Sequence, residues 1–194
     1  MKRIIALLAA LLLTAAVSAQ ENHFRIGIGG YPWVPSILVN GIGAYPEIDW
    51  SYPTSLGTLF VEYEGGTYTT GNICAEYAWD FKNRFTVSVS ASTDVIWTTL
   101  RDAVTAKRTD TKTGALVSIM TKARYSWVSR KVVKMYCSAS IGIIAGYADR
   151  EAVALPGIQL TPIGIEVGKK VFGFAEAGIG TSYAGGMVGI GYRF

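Results

Sequence analysis

Residues 186–194 read Gly-Met-Val-Gly-Ile-Gly-Tyr-Arg-Phe, and apolar side chains alternate in this segment with small or charged ones. Counted back from Phe194, every second residue is aromatic or aliphatic, whereas most of the residues between them are small or charged. Successive side chains of a β-strand point to opposite faces. The pattern therefore predicts a strand with a single apolar face.

The same alternation recurs along most of the chain. From Phe85 to Val95 the odd positions are apolar apart from Thr93, and the even positions carry hydroxyl groups or, at Asp94, a carboxylate. Eight strands can be placed in this way, at about 23–30, 67–81, 84–98, 114–128, 132–147, 158–168, 171–180 and 186–194. Such segments are typical of barrels that span an outer membrane. We therefore predict an all-β fold, an eight-stranded antiparallel up-and-down transmembrane β-barrel.

The charged residues of these strands fall on the polar row, which indicates where the apolar row points. Nine of them are predicted to share the lumen: Arg25, Glu76, Asp94, Lys122, Arg124, Lys134, Glu166, Glu176 and Arg193. One Lys or Arg at the bilayer midplane costs about 2–4 kcal/mol, and a water-soluble barrel keeps its charges outside. We therefore expect lipid outside and a structural salt-bridge network in the lumen. A narrow ion path or gated pore is the alternative.

The predicted connections alternate in length. Three are short, at 82–83, 129–131 and 169–170, and the others are longer, at about 31–66, 99–113, 148–157 and 181–185. Outer-membrane barrels have short periplasmic turns and longer external loops. The 31–66 segment is rich in proline and aromatic residues, so it either folds over the barrel mouth or forms a binding surface for a protein or glycan partner.

Two strands contain irregular features. Pro162 cannot donate a hydrogen bond to a neighbouring strand, so we expect a bulge there or a position near the outer end of the strand. The 171–180 strand places Phe172, Phe174 and Glu176 inward, and a bulge could reverse part of this assignment. The many glycines are expected to relieve crowding on the inner wall of a narrow barrel.

The first residues predict export from the cytoplasm. Lys2 and Arg3 precede an apolar run, and Ala19 ends a group of small residues before Gln20. This is the pattern of a signal peptide over residues 1–19, and the run is too short to span a bilayer, which needs about 20 residues. Residues 20–194 then form a single barrel domain.

Composition excludes some classes of function. Without Lys2 and Arg3 the chain has 16 basic and 14 acidic residues, a balance that does not indicate nucleic-acid binding.

Cys74 and Cys137 have no metal-ligand spacing and opposite strand parities, so we expect two free thiols. His23, the single histidine, is expected to be an exposed terminal residue remote from any nucleophile. No enzymatic activity, cofactor or metal is therefore predicted.

The chain resembles the small outer-membrane β-barrel domains that are abundant in Bacteroidota. The residues that carry the resemblance are Leu160–Gly168, Phe172–Gly180 and the Gly-Tyr-Arg-Phe ending at Phe194. The resemblance implies insertion by the barrel-assembly machinery, with Val188, Ile190, Tyr192 and Phe194 as a C-terminal insertion signal, and outer-membrane lipid as the surroundings.

The expected function is structural, in envelope integrity, or loop-mediated binding and adhesion. A narrow small-solute or ion channel is the alternative. A soluble lipocalin-like carrier and a lipid A-modifying barrel enzyme fit the sequence less well. Enzymes of the latter kind place a histidine and a serine near the outer leaflet, where this sequence has no histidine.

Overall fold

The structure is a computed structural model that describes residues 21–31, 62–81, 84–102, 107–148 and 151–194. Nine strands lie in these ranges: β1 Glu21–Tyr31, β2 Glu62–Thr69, β3 Asn72–Phe81, β4 Phe85–Asp102, β5 Arg108–Ser129, β6 Val133–Ala148, β7 Glu151–Gly168, β8 Val171–Gly180 and β9 Ala184–Arg193. All their pairings are antiparallel. The described residues include no helix long and apolar enough to cross a membrane.

The sheet closes on itself. The order β4-β3-β1-β9-β8-β7-β6-β5 is completed by pairing between β5 and β4, which makes a ring of eight strands. The closing strand β9 pairs with β1, where Ile190 lies opposite Ile26. The predicted eight-stranded antiparallel barrel with up-and-down order is confirmed.

β2 and β3 occupy one position in this ring. Both pair with β4, β3 along Phe85–Thr93 and β2 beyond it along Ile96–Asp102. The break between them falls at Thr70 and Gly71, and Gly71 has φ +71°, which favours glycine. The prediction of an uninterrupted strand over 67–81 is therefore wrong, because a bulge divides it into β2 and β3. In addition, β2 begins at Glu62, five residues before the predicted start.

The two ends of the barrel differ. At one end, called here the turn end, β3 leads to β4, β5 to β6 and β7 to β8 within two or three residues, and β1 begins where β9 finishes. The opposite end is called the far end. There the predicted loops 99–113 and 148–157 are wrong for most of their residues, because the β4–β5 and β6–β7 hairpins continue to pair up to Arg101 and Glu151.

Two sequence predictions fall largely outside the described residues. The signal peptide over 1–19 lies entirely outside them, and of the predicted 31–66 loop only Tyr31 and residues 62–66 are described. Those residues belong to β1 and β2 rather than to a loop.

The bulge predicted at Pro162 is confirmed. The register of β7 shifts against both neighbours there, between Leu160 and Ile163 on the β8 side. Pro162 and Ile163 are consecutive and both exposed, whereas Thr161 and Gly164 face the interior. In β8 no shift occurs, so Phe172, Phe174 and Glu176 all point into the barrel.

The outer wall is apolar and the interior is mostly polar. Exposed aliphatic side chains include Ile119, Ile141 and Ile190, which are 61–68% exposed. At the turn end, aromatic rings contact one another on the outer wall and form what we call the aromatic collar: Tyr77, Trp79, Phe81, Phe85, Tyr192 and Phe194. The interior also holds two small apolar clusters, one around Phe172 and Phe174 and one around Leu116 and Met120.

Candidate functional site in the barrel lumen

Glu76 is the centre of a buried ionic network. Its carboxylate accepts hydrogen bonds from Arg25 at 2.6 Å, Lys122 at 2.9 Å and Arg124 at 2.7 Å. Arg25 lies directly opposite Glu76 in the β1–β3 ladder, whereas Lys122 and Arg124 come from β5, on the other side of β4. One carboxylate thus joins three strands.

Two further glutamates extend the network to β7, β8 and β9. Glu166 accepts from Arg124 and from Arg193, both at 2.7 Å. Glu176 lies 3.4 Å from the Arg25 guanidinium and 3.6 Å from the Lys122 ammonium. We call Arg25, Glu76, Lys122, Arg124, Glu166 and Glu176 the lumen cluster. All six side chains are at least nine-tenths buried.

The inner row of β4 makes these contacts possible. Its residues opposite Glu76 and Lys122 are Ser90 and Ser88, which are too short to fill the lumen. The long side chains of β3 and β5 can therefore meet above this row. Buried charges are costly unless they are paired and hydrogen-bonded, and this arrangement meets that condition for the carboxylates.

Tyr136 joins the lumen cluster, and the sequence prediction missed it. Its hydroxyl accepts a hydrogen bond from Arg25 at 2.8 Å and donates one to Glu176 at 2.9 Å. The Arg124 guanidinium stacks on its ring at 4.4 Å. A Cβ at Gly164, the residue opposite in the β6–β7 ladder, would lie 2.4 Å from this ring. The position of Tyr136 between Lys134 and Ser138 on the polar row was the signal that could have identified it.

Aromatic rings also cover the cations from β1 and β9. Arg25 lies 4.5 Å from the centroid of Phe174, and Arg193 lies 4.2 Å from that of Phe172. Cation–π contacts of this kind add attraction where water is excluded. The inward direction of both phenylalanines therefore shields the ion pairs.

A second group of polar residues lies nearer the turn end, around Asp80. Its carboxylate accepts from Lys134 at 2.9 Å and from Thr86 at 2.5 Å, and lies 3.6 Å from His23. The expectation that His23 is an exposed terminal residue is wrong, because only 1% of its surface is exposed. β1 begins at Glu21, so position 23 lies on the same inward row as Arg25.

Asp94 does not join the lumen cluster. It belongs to a third group toward the far end, where Asn72 donates to its carboxylate at 3.1 Å and to Ser182 at the same distance. Of the other eight residues of the predicted network, six form the lumen cluster. Arg193 pairs with Glu166 of that cluster, and Lys134 belongs to the Asp80 group.

Tyr183 closes the lumen cluster toward the far end. It lies between β8 and β9, and its hydroxyl donates to Glu176 at 3.1 Å. Gln159 donates to its carbonyl oxygen at 3.0 Å. Burial and the neighbouring Glu176 carboxylate raise the pKa of the Tyr183 hydroxyl well above its usual range, so it acts as a neutral donor.

The other predicted residues have separate positions. Val188, Ile190, Tyr192 and Phe194 all lie on the outer wall, between 40% and 68% exposed. Both cysteines are free thiols, with Cys74 half-buried and Cys137 exposed. Among the described residues, no group of histidine, cysteine and acidic side chains is arranged to hold a metal ion.

His23 contacts charged side chains on both sides of its ring. The His23 ring has Asp80 on one side and Arg124 on the other, at 3.4 Å from its Nε2 atom. A histidine that activates a nucleophile needs a hydroxyl or thiol at that position, and the described residues place a guanidinium there. The space among Arg25, Cys74, Glu76 and Phe174 has no room for a water molecule.

Comparisons with known proteins add no relative. A scan against protein-family models finds no match, and searches of curated proteins and of solved structures find no significant match.

Proposed function

We propose that this chain is an integral outer-membrane β-barrel protein without enzymatic activity, which acts in envelope structure or in binding through its external loops. The observation that carries the proposal is the inverted distribution of polarity. Charged side chains are buried inside the closed sheet, and aliphatic side chains cover its outside.

The outer wall supports a lipid environment. In four segments of the described strands, no outward-facing side chain carries a charge. These segments are Phe24–Ile28, Ile73–Phe81, Val117–Trp127 and Val188–Tyr192. Isolated exposed apolar residues are common on soluble proteins, but continuous apolar surfaces of this extent are not. The aromatic collar fits the interface between hydrocarbon and headgroups, where such rings are enriched.

The interior supports a structural role over conduction. Arg25, Arg124 and Glu76 bridge the lumen, and Tyr136 fills the space beside them. Eight strands enclose room for side chains and little more. An ion would have to displace several buried, charge-assisted hydrogen bonds to pass, so the channel alternative requires a rearrangement of the lumen cluster.

Refolding tests the membrane part of the proposal. Residues 20–194, refolded into detergent micelles, should migrate differently on gels before and after boiling. In cells that express the protein, it should stay in the membrane fraction after carbonate extraction. Folded protein that is stable in buffer without detergent would contradict the proposal and favour the soluble-carrier alternative.

Two further measurements separate the candidate roles. Planar-bilayer recordings of the refolded barrel should show no discrete conductance, and reproducible single-channel steps would favour the channel. Deleting residues 36–60 should leave a heat-modifiable barrel that no longer captures a partner in crosslinking from intact envelopes. Failure of the deleted chain to assemble would contradict a separable binding loop.

A further inference from the structure

A concave basic surface at the turn end is not explained by a structural barrel. A cavity of about 500 Å³ opens there and is lined by residues of the β5–β6 and β7–β8 turns and by the ends of β1 and β9. Four of its residues are exposed cations that belong to those two turns: Arg130, Lys131, Lys169 and Lys170. We call these four residues the basic rim.

The basic rim is not neutralised by the part of the protein that the structure describes. The other two cations in the cavity, Lys134 and Arg193, are paired with Asp80 and Glu166. No described carboxylate lies within ion-pair distance of the basic rim, and the acidic groups of the lining residues are the Glu21 side chain and the terminal carboxylate of Phe194. Like charges gathered on one small surface repel one another, so an external anion is favoured there.

The scaffold of the basic rim is held by backbone hydrogen bonds. Gly168 donates to Val132 at 2.8 Å and joins the two turns, and Arg193 donates to the carbonyl oxygen of Lys170 at 2.8 Å. The cations therefore start from anchored backbone positions, which lowers the entropy lost when they bind one ligand.

The basic rim also borders the aromatic collar. The Lys170 ammonium lies 5.7 Å from the centroid of the Tyr192 ring, on the outer wall. Aromatic rings at a membrane interface lie at the level of the headgroups. A cation just beyond them meets phosphate oxygens, for which lysine and arginine are the usual partners.

We propose that the basic rim is a binding site for phosphate groups, supplied by the headgroups of anionic phospholipids in the leaflet that surrounds the turn end. The inference rests on the proposed membrane location for the lipid source. A soluble phosphate is the other source of the same chemistry, and the experiment below distinguishes the two.

The protein is refolded in uncharged dodecylmaltoside micelles and titrated with dioctanoyl phosphatidylglycerol, dioctanoyl phosphatidylcholine or sodium pyrophosphate, with bound ligand counted by native mass spectrometry. We expect saturable binding of phosphatidylglycerol and much weaker binding of phosphatidylcholine. Each basic residue near an anionic lipid surface contributes roughly fivefold to affinity, so replacing all four by glutamine should weaken binding by about 100-fold or more.

The matched control removes the same charge at the far end. Arg101, Lys107, Arg108 and Lys112, replaced by glutamine together, should leave binding of phosphatidylglycerol unchanged. If the quadruple rim variant does not fold, the pair Lys131→Gln and Lys169→Gln, together with a sodium chloride titration of the unmodified protein, measures the same dependence.

Equal binding by the rim variant and the far-end control would overturn the inference, as would equal binding of the two lipids. Pyrophosphate binding that depends on the basic rim, without lipid binding, would assign the site to a soluble phosphate. The boiling shift is recorded on the same samples. A folded barrel that binds no phosphate contradicts this inference alone, whereas a chain that is folded without detergent contradicts the proposed function.

Discussion

Arg124 and Glu76 are joined across the lumen at 2.7 Å, although their strands share no hydrogen-bonded edge. β4 lies between them and contributes small hydroxyl side chains at this level. The contact therefore spans the intervening strand and does not follow from the pairing of neighbouring strands. It forms because long side chains of β3 and β5 meet above the short serine side chains of β4.

Replacing Glu76 by glutamine should be strongly destabilising. Arg25, Lys122 and Arg124 would share one less carboxylate in a buried site. Breaking a buried ion pair by removing one partner costs about 3–5 kcal/mol. The free energy of unfolding, measured by urea titration of the refolded barrel, should fall by this order.

Asp110→Asn is the matched control for Glu76. Asp110 is an exposed carboxylate of β5 that accepts a hydrogen bond from the backbone of Thr111. Surface substitutions of this kind change stability by about 0.5 kcal/mol or less. Similar losses in both variants would show that the lumen cluster contributes no more than a surface carboxylate.

Tyr136→Phe should destabilise the barrel less than Glu76→Gln. The change removes the hydroxyl between Arg25 and Glu176 but keeps the ring beneath Arg124. Hydrogen bonds to charged groups contribute about 1.5–3 kcal/mol. The loss should appear in the same urea titration, and Tyr125→Phe, on the outer wall, should leave the midpoint unchanged. An unchanged midpoint for Tyr136→Phe would contradict the bridging role of its hydroxyl.

Gly164→Ala should destabilise the barrel through overpacking. The added Cβ would lie 2.4 Å from the Tyr136 ring, so the ring would have to move away from Arg124. Overpacking of this kind costs about 1–3 kcal/mol. Gly186→Ala, where the same atom meets nothing within 4 Å, should have little effect in thermal unfolding monitored by circular dichroism. Equal unfolding temperatures would contradict tight packing around Tyr136.

Ile141→Lys tests where the barrel resides. Ile141 is on the outer wall in the middle of β6 and is 67% exposed. In a bilayer this lysine should cost about 2–4 kcal/mol, whereas at the interface the cost falls to about 0–1 kcal/mol. Unfolding from lipid vesicles should show the large loss for Ile141→Lys and a small one for Val171→Lys, which is equally exposed beside Lys170 at the turn end. Two similar small losses would contradict a membrane location.

The alternation of apolar and polar residues in the sequence predicted most of the barrel strands. The alternation of strand positions alone predicted that Arg25, Glu76 and Lys122 face the interior. A shift of the assignment by one residue would have turned these charged side chains toward lipid. Parity also applied to His23, two residues before Arg25, but the expectation of a loose terminus took precedence and was wrong.

Register and the extent of the hairpins could not be obtained in the same way. Which cation meets which carboxylate depends on heights along the barrel axis, and these follow from hydrogen-bond pairing and not from alternation. Residues such as Asp110 and Pro156 are typical of loops, yet both lie in paired strands that extend toward the far end. Tertiary pairing overrode their local preferences.

The bulge at Pro162 has a consequence for how the gene can change in length. Two consecutive outward residues, Pro162 and Ile163, separate segments of β7 that each alternate regularly. Loss of the Pro162 codon would merge these segments into one unbroken alternation with Thr161 and Gly164 still inward. Loss of a codon at Ile141 would instead invert every side chain on one side of the deletion. We therefore expect the barrel wall to tolerate loss of one codon at Pro162 but not at Ile141.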